Sequence, residues 1–217
     1  MNTSNVPPRW ITPIFLACFL VFAAAMSGCL SRPALSKQTF FFGVPAVSAT
    51  NAVTNSRVLA VRKLQIAPPF DERSLVYRTG EFSYVRDPYA GFLDPPAEDL
   101  IGPVLGWLRA NCGFSVVVGG GSALKPDTLV EISVIQLFGD FRQPERPFAV
   151  MTMRLAFFDA PNGVPGKTLF QKEYSRSVPL NSPTPGALMN GWNQELASIF
   201  IEVSSELPHS EVQQPHR

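Results

Sequence analysis

The sequence predicts one α/β domain, in which a compact mixed β-sheet packs against a kinked central helix and a long amphipathic C-terminal helix. Two observations lead to this fold class. Apolar and polar residues alternate along Thr128–Val134 and again from Met151 to Phe157, which is typical of half-buried strands. After Glu98, and again after Pro185, apolar residues recur at helical spacing. The content of 46% hydrophobic residues in 217 excludes long disorder.

The first strands of the domain are predicted from branched residues and turn signals. Val58–Ile66 is rich in valine, leucine and isoleucine, and the prolines at 68 and 69 end it because proline cannot donate to a strand ladder. Leu75–Tyr77 and Phe82–Val85 flank Thr79-Gly80. This arrangement predicts a hairpin whose glycine allows a tight turn.

The later strands are predicted to form an antiparallel meander. Pro161-Asn162-Gly163 is a turn signal that leads into a third strand from about Thr168 to Val178. Within the two preceding strands, the residues expected on the buried face are Val130, Ile132, Val134, Met151, Met153, Leu155 and Phe157.

Two helices complete the domain. The first starts near Glu98-Asp99, whose charges suit the positive end of a helix, and Pro103 predicts either a kink or a late start. The second lies between Pro185 and Pro208, with Ser182 or Thr184 as the capping residue. Its apolar stripe consists of Leu188, Met189, Trp192, Leu196, Ile199, Phe200 and Val203.

The amino-terminal segment has the pattern of an export signal. Only apolar residues occur from Ile14 to Met26, after the single charge of Arg9, and the run is too short for a permanent membrane span. The next residues, Ser27-Gly28-Cys29, complete a segment that resembles the lipobox of bacterial lipoproteins, with Met26 in place of the usual leucine. The resemblance implies that residues 1–28 are removed and that Cys29 is lipidated.

Residues 29–38 are then expected to be a lipidated tether, 39–207 the domain and 208–217 a polar tail. Leu30 follows the cysteine where a sorting rule for retention in the inner membrane requires aspartate. That rule implies an outer-membrane protein that faces the periplasm. Of the three cysteines, Cys18 leaves with the signal and Cys112 remains as a structural thiol without a disulfide partner in the mature chain.

Several classes of function are excluded by composition. The formal net charge is +1 and no basic run occurs, so a nucleic-acid surface is not expected. Both histidines, His209 and His216, lie in the polar tail, which argues against histidine-based catalysis and histidine metal sites. Gly119–Gly121 lacks the following helix and the Lys-Ser/Thr pair of a phosphate-binding loop. No catalytic residue, metal or cofactor is therefore predicted.

Charged and aromatic residues concentrate between positions 71 and 94. A glycosidase-like pair is one interpretation of the carboxylates, but interleaved arginines favour solvated ion pairs. The carboxylates are Asp71, Glu72, Glu81, Asp87 and Asp94, and the arginines are Arg73, Arg78 and Arg86. The aromatic residues either fill the core or form a docking surface. The predicted docking residues are Tyr77, Arg78, Tyr84, Tyr89 and Phe92, with Phe82 among the same aromatic cluster.

Three stretches, Leu64–Leu100, Leu124–Arg142 and Met151–Leu180, resemble the ABC-type transport auxiliary lipoprotein family, which includes the lipoprotein subunit of the paraquat-inducible system. The resemblance spans roughly Thr39 to Leu207. It implies a non-catalytic partner of an ATPase, a permease and a mammalian-cell-entry domain protein that move phospholipid or another hydrophobic compound. Many relatives have tryptophan near Phe92, so a contact that needs tryptophan is not expected here.

The sequence thus leads to the hypothesis of a lipid-anchored auxiliary subunit that docks to the mammalian-cell-entry protein or to a second copy of itself. Two rival hypotheses remain open. One is a periplasmic hydrolase that uses carboxylates, and the other is an envelope scaffold without a transport role. A third possibility, a lipid-binding pocket within the domain itself, ranks lower because the apolar residues are needed for packing.

Overall fold

The computed structural model describes residues 36–43 and 55–207. From Lys37 onward these residues belong to one compact unit. The predicted signal segment, Cys29, nearly all of the tether and the tail with both histidines lie outside the described residues. The proposed domain boundaries therefore stay predictions.

The described residues form eight strands, two helices and one short 3₁₀ turn. The strands are β1 (Gln38–Phe40), β2 (Asn55–Ile66), β3 (Ser74–Arg78), β4 (Tyr84–Phe92), β5 (Phe114–Val118), β6 (Thr128–Asp140), β7 (Phe148–Asp159) and β8 (Thr168–Pro179). The helices are α1 (Pro96–Asn111) and α2 (Pro185–Glu206), and the 3₁₀ turn covers Pro161–Gly163.

The strands form one mixed sheet, as predicted, and β6 lies at its centre. Along one edge it pairs in parallel first with β2 and then, at Gly139 and Asp140, with β3. Its other edge pairs antiparallel with β7, which pairs antiparallel with β8. This confirms the predicted meander. Outside β2 lies β5 in parallel, and outside β3 lies β4. Strand β4 is the second strand of the predicted hairpin, but it begins at Tyr84 instead of Phe82 and continues beyond Val85 to Phe92. The edge of β4 carries β1 in parallel.

Both helices contribute to the core on one face of the sheet. The predicted apolar faces of β6 and β7 are fully buried, and so is the predicted stripe of α2. The two helices meet at Trp107 and Phe200, whose stacked rings lie 4.4 Å apart between centroids. The Trp107 indole also donates to the Ser204 hydroxyl at 3.1 Å. Burial of this apolar surface is the main source of stability for a domain of this size.

Polar side chains dominate the opposite face of the central strands. Arg62 forms an ion pair with Glu131, and Arg154 forms one with Glu173 at 2.7 Å. Gln65 donates to Ser133 at 3.0 Å. Alternation along a strand directs successive side chains to opposite faces, so one apolar and one polar face result from the same sequence.

The ends of the two helices are largely those expected. The Thr184 hydroxyl caps α2 by accepting a hydrogen bond from the Ala187 amide at 3.3 Å. Helix α1 begins at Pro96 and continues through Pro103, so the alternative of a start after Pro103 is wrong. Pro96 suits the first turn of the helix, because the backbone N–H group that proline lacks would have no hydrogen-bond partner within the helix there. Neither described helix has an apolar stretch long enough to span a membrane.

Close packing of α2 on β7 depends on Gly191. A Cβ atom at this position would lie 2.6 Å from the Ala149 Cβ and 2.8 Å from the Leu180 Cδ2. Both distances are below van der Waals contact, and the Ala149 methyl cannot rotate away. A glycine is therefore required where this helix approaches the sheet.

We predict that Gly191→Ala lowers the free energy of unfolding by about 1–3 kcal/mol, because overpacking must displace the helix. Gly186→Ala is the matched control in the same helix, since a Cβ there would have no atom within 4 Å. This control should be neutral or slightly stabilising. Urea denaturation followed by tryptophan fluorescence measures both, and equal stability of the two variants would contradict the packing described.

Candidate functional site

The β3–β4 hairpin projects from one end of the sheet with an ordered turn over residues 79–83. The Thr79 amide donates to the Ser83 carbonyl at 2.9 Å. The Arg78 guanidinium donates to the carbonyls of Gly80, at 3.3 Å, and Glu81, at 2.7 Å. Phe82 lies at this tip with 89% of its surface exposed. The turn thus holds a large apolar ring out in solvent.

The side chains beside the tip form what we call the hairpin surface: Arg78, Tyr84, Val85 and Tyr89. Tyr84 is 42% exposed and Tyr89 is 53% exposed, and Val85 is exposed as well. Arg78 and Tyr84 are paired across the two strands, and the Arg78 guanidinium carbon lies 5.9 Å from the Tyr84 ring centroid. Aromatic and arginine side chains are the residue types enriched at protein interfaces.

Tyr84 is supported from below by two rings. Its ring centroid lies 6.3 Å from that of Phe70 and 5.5 Å from that of Phe138, both with edge-to-face geometry. Phe70 and Phe138 are buried and stack on each other at 5.8 Å. The exposed part of Tyr84 is therefore held in place before any partner binds, which lowers the entropic cost of binding.

A bulge in β4 exposes Tyr89. Between the pairs Ser74–Gly91 and Val76–Arg86, β4 contains three more residues than β3. Asp87 stabilises this bulge: its Oδ1 accepts from the amides of Tyr89, at 2.8 Å, and Ala90, at 2.9 Å. Bulges of this kind redirect side chains and interrupt pairing.

The same carboxylate fixes a buried tyrosine. The Tyr77 hydroxyl donates to Asp87 Oδ2 at 2.7 Å. Burial and this hydrogen bond both raise the pKa of Tyr77 far above its usual range, so its hydroxyl stays protonated. Its ring stacks on Phe141 with 4.7 Å between centroids. Tyr77 is thus part of the support for the hairpin.

The structure divides the predicted docking residues into two groups. Arg78, Tyr84 and Tyr89 belong to the hairpin surface, whereas Tyr77 and Phe92 are buried and cannot contact a partner in this fold. Phe92 stacks on Trp192 at 5.8 Å, so its place in the predicted set is corrected to the core. Val85 lies outside that set, because the exposure of three successive residues at the start of β4, Tyr84–Arg86, is not visible from residue type.

Two edge strands of the sheet are protected by helix side chains. Arg109 of α1 donates to the Val117 carbonyl of β5 at 3.2 Å. Glu195 of α2 accepts from the Val178 amide of β8 at 3.1 Å. Side chains that bond to the main chain of an edge strand occupy groups that another strand would need for pairing. By contrast, among the described residues the outer edge of β4 is paired only at Ala90–Phe92, where β1 lies beside it.

The remaining candidates have structural explanations. Arg86 pairs with Glu72 at 2.9 Å and Arg73 with Asp94 at 3.6 Å, which confirms the expected surface ion pairs for two of the three arginines. The third, Arg78, donates to main-chain carbonyls instead. The buried Cys112 has a pKa raised to about 12 by burial, so its thiol is not a nucleophile at neutral pH. The described residues contain no group of three or more side chains placed to hold a metal ion.

Gly119–Gly121 connects β5 with β6 and leads into a strand, not into a helix. The geometry of a phosphate-binding loop, in which main-chain amides at a helix start face the anion, is therefore missing at this position.

Glu195 is a buried carboxylic acid that sequence reasoning did not single out. Its side chain is fully buried, and its Oε2 atom has no hydrogen-bond partner. Burial raises its pKa to about 8, although the Val178 amide and the charge of Arg176 act in the opposite direction. The residue occupies an otherwise apolar stripe of α2, and only contact with the β8 edge explains why a glutamate is placed there.

Comparison with known proteins establishes the fold. No family model and no curated protein matches the sequence. The structure is similar to that of protein XCC0632 from Xanthomonas campestris, assigned to family DUF330, with a TM-score of 0.59 and 15% identity over 81% of this chain and 95% of that one. A crystal structure of an uncharacterized protein also reaches 0.59, with 13% identity over 79% and 98% of the two chains.

Lipoprotein GNA1162 from Neisseria meningitidis reaches a TM-score of 0.38 with 12% identity over 70% of this chain and all of that one, which is too low to establish a common fold. At the identities of the first two structures, the likeness establishes a shared α/β fold and nothing about activity.

Glu195 makes the stability of the domain depend on pH. The pKa of Glu195 is about 8 in the folded chain and about 4.5 when the side chain is exposed. The contribution of its protonated form to the free energy of unfolding is therefore fully present below pH 4.5 and is lost as the pH rises through 8. We predict that stability declines over this range by on the order of a few kcal/mol. Glu195→Gln should flatten the decline, and Glu173→Gln, which changes an exposed ion pair, should not. Urea midpoints from pH 5 to 8.5 measure the slopes, and an unchanged slope in Glu195→Gln would refute this assignment.

Proposed function

We propose that this protein is a non-catalytic, lipid-anchored auxiliary component of an ABC-type transport system that moves lipid or hydrophobic compounds across a bacterial envelope. The observation that carries the proposal is the hairpin surface, where exposed tyrosines, a valine and an arginine sit on a rigid support beside an unprotected strand edge. Such a surface suits the binding of another protein.

The hairpin surface binds its partner by strand addition. From Tyr84 to Asp87 the outer edge of β4 is free of pairing strands among the described residues, and apolar side chains lie on both faces of the strand. An added strand gains main-chain hydrogen bonds along the edge, while its side chains contact Tyr84 on one face and Val85 on the other. The mammalian-cell-entry domain protein is the proposed partner, with the permease and the ATPase in the same assembly.

The anchoring part of the proposal is supported by the sequence. The short apolar segment followed by Ser27-Gly28-Cys29 favours export and lipidation at Cys29, in the outer membrane and facing the periplasm. The resemblance of three long stretches to the auxiliary lipoprotein family supports the transport role. The ion pairs of Glu72 and Asp94 and the protonated Cys112 thiol support a binding role over a catalytic one.

Co-purification tests the docking surface. We predict that Tyr89→Ser combined with Val85→Ser reduces recovery of the transporter subunits from detergent-solubilised envelopes by about tenfold or more, because exposed aromatic anchors contribute about 2 kcal/mol or more at interfaces. Both residues are exposed, so the fold should be retained.

The matched control is Ile201→Ser on α2, which removes an apolar side chain that is 61% exposed and far from the hairpin in the chain. The amount of transporter subunits that co-purifies with this variant should equal the amount that co-purifies with the wild-type protein. If no transporter subunit is recovered with the wild-type protein, the transport role is wrong. If the hairpin variant retains all of them, the docking site is wrong.

Cys29→Ala tests the anchor separately. We predict a folded protein that lacks the lipid and is lost from the outer-membrane fraction, since no other membrane attachment is proposed. Fractionation by density and mass spectrometry of the mature amino terminus measure the two effects. Unchanged recovery in the outer-membrane fraction would show that Cys29 is not the anchor.

A further inference from the structure

We propose that the end of the sheet that carries the hairpin tip faces the lipid bilayer and that Phe82 enters the headgroup region of the lipids. This inference rests on the proposed lipid anchor at Cys29, and it adds an orientation and a second membrane contact that anchoring alone does not require. It assigns to Phe82 a role separate from the protein-docking role of the hairpin surface.

The direction of β1 shows from which side the chain enters this strand. Strand β4 begins at Tyr84, beside the tip, and β1 pairs with it in parallel through Gln38–Ala90 and Phe40–Phe92. The residue that precedes β1, Lys37, therefore lies on the tip side of that strand. The proposal is that the tether continues in this direction, toward the side of the domain that carries Phe82.

The length of the tether limits how far the tip can lie from the membrane. Thr39 is paired with Gly91, and Gly91 with Ser74, which lies four residues before Arg78 at the base of the tip. Four residues of strand span about 13 Å. The eight residue-to-residue steps from Cys29 to Lys37 can span at most about 28 Å. The tether is long enough to pass the tip and short enough to keep the tip close to the membrane.

The opposite end of the sheet lies far from the tip and supplies a reference position. The thirteen residues of β6 span about 40 Å, from Thr128 to Asp140 at the level of Arg78. The turn after β7 lies at the Thr128 end, because Asp159 is paired with Thr128. Val164 in that loop is 59% exposed and serves as an apolar reference position far from the proposed membrane face.

The chemistry of the tip end suits a bilayer surface. Phe82 is an almost fully exposed apolar ring, which is unfavourable in water and favourable at the boundary of headgroups and acyl chains. The loop between β6 and β7 lies at the same end, because Asp140 is paired with Phe148. It presents Arg142, whose charge is paired with Asp140 at 2.6 Å, and the exposed side chains of Glu145 and Arg146. The loop carries no excess of positive charge, and the guanidinium of Arg146 is the group that can contact a lipid phosphate.

Site-specific fluorescence tests the orientation on the lipidated full-length product. Phe82→Cys and Val164→Cys are each labelled with a polarity-sensitive dye, which leaves the buried Cys112 unlabelled. The proteins are then incorporated through their lipid into vesicles of phosphatidylethanolamine and phosphatidylglycerol. We expect a blue-shifted emission at position 82 that is quenched by a headgroup-labelled lipid, and an unshifted, unquenched emission at position 164.

Flotation of the same vesicles separates the two claims. Protein that floats with the vesicles but shows no shift at position 82, or an equal shift at position 164, overturns the membrane contact of Phe82 and leaves the anchor intact. Protein that does not float, with an unmodified Cys29 by mass spectrometry, overturns the anchor and with it this inference.

Discussion

The pairing of β6 on both edges is the constraint on which the rest of the structure depends. One edge of this strand carries β2 and then β3, while the other carries β7 along its whole length. Because β3 is aligned with the end of β6, the hairpin that it forms with β4 must project from that end of the sheet. The loops around that end, the entry of the chain into β1 and the exposed tyrosines all follow from this alignment.

The same arrangement explains why one surface of the domain differs from the others. Helices cover one face, ion pairs cover most of the other, and Arg109 of α1 and Glu195 of α2 protect the edges of β5 and β8. The three residues of β1 pair with Ala90–Phe92, directly after the bulge held by Asp87. Exposed aromatic side chains and an open strand edge therefore coincide at the hairpin, which is the physical basis for the proposed binding function.

Local patterns were sufficient to predict much of this fold and less of the site. Alternation in β6 and β7 identified the buried face because period two holds wherever pairing is regular. The Thr184 cap followed from rules that act within a few residues. The division of the aromatic cluster was beyond such rules, since a bulge in β4 sends Tyr89 outward while Phe92 stacks on Trp192, more than ninety residues away in the chain. The burial of Glu195 likewise depends on its contact with β8 and has no local signal.

The central claim is that the hairpin is the face through which an anchored, chemically inert body contacts another protein. Photo-crosslinking in intact cells tests this most directly, with a photoreactive amino acid at position 89 in one strain and at position 201 in another. The account predicts adducts between position 89 and a subunit of a transport system, with none from position 201. Adducts from position 201 alone, or none from either position in a protein shown to be lipidated and folded, would contradict it.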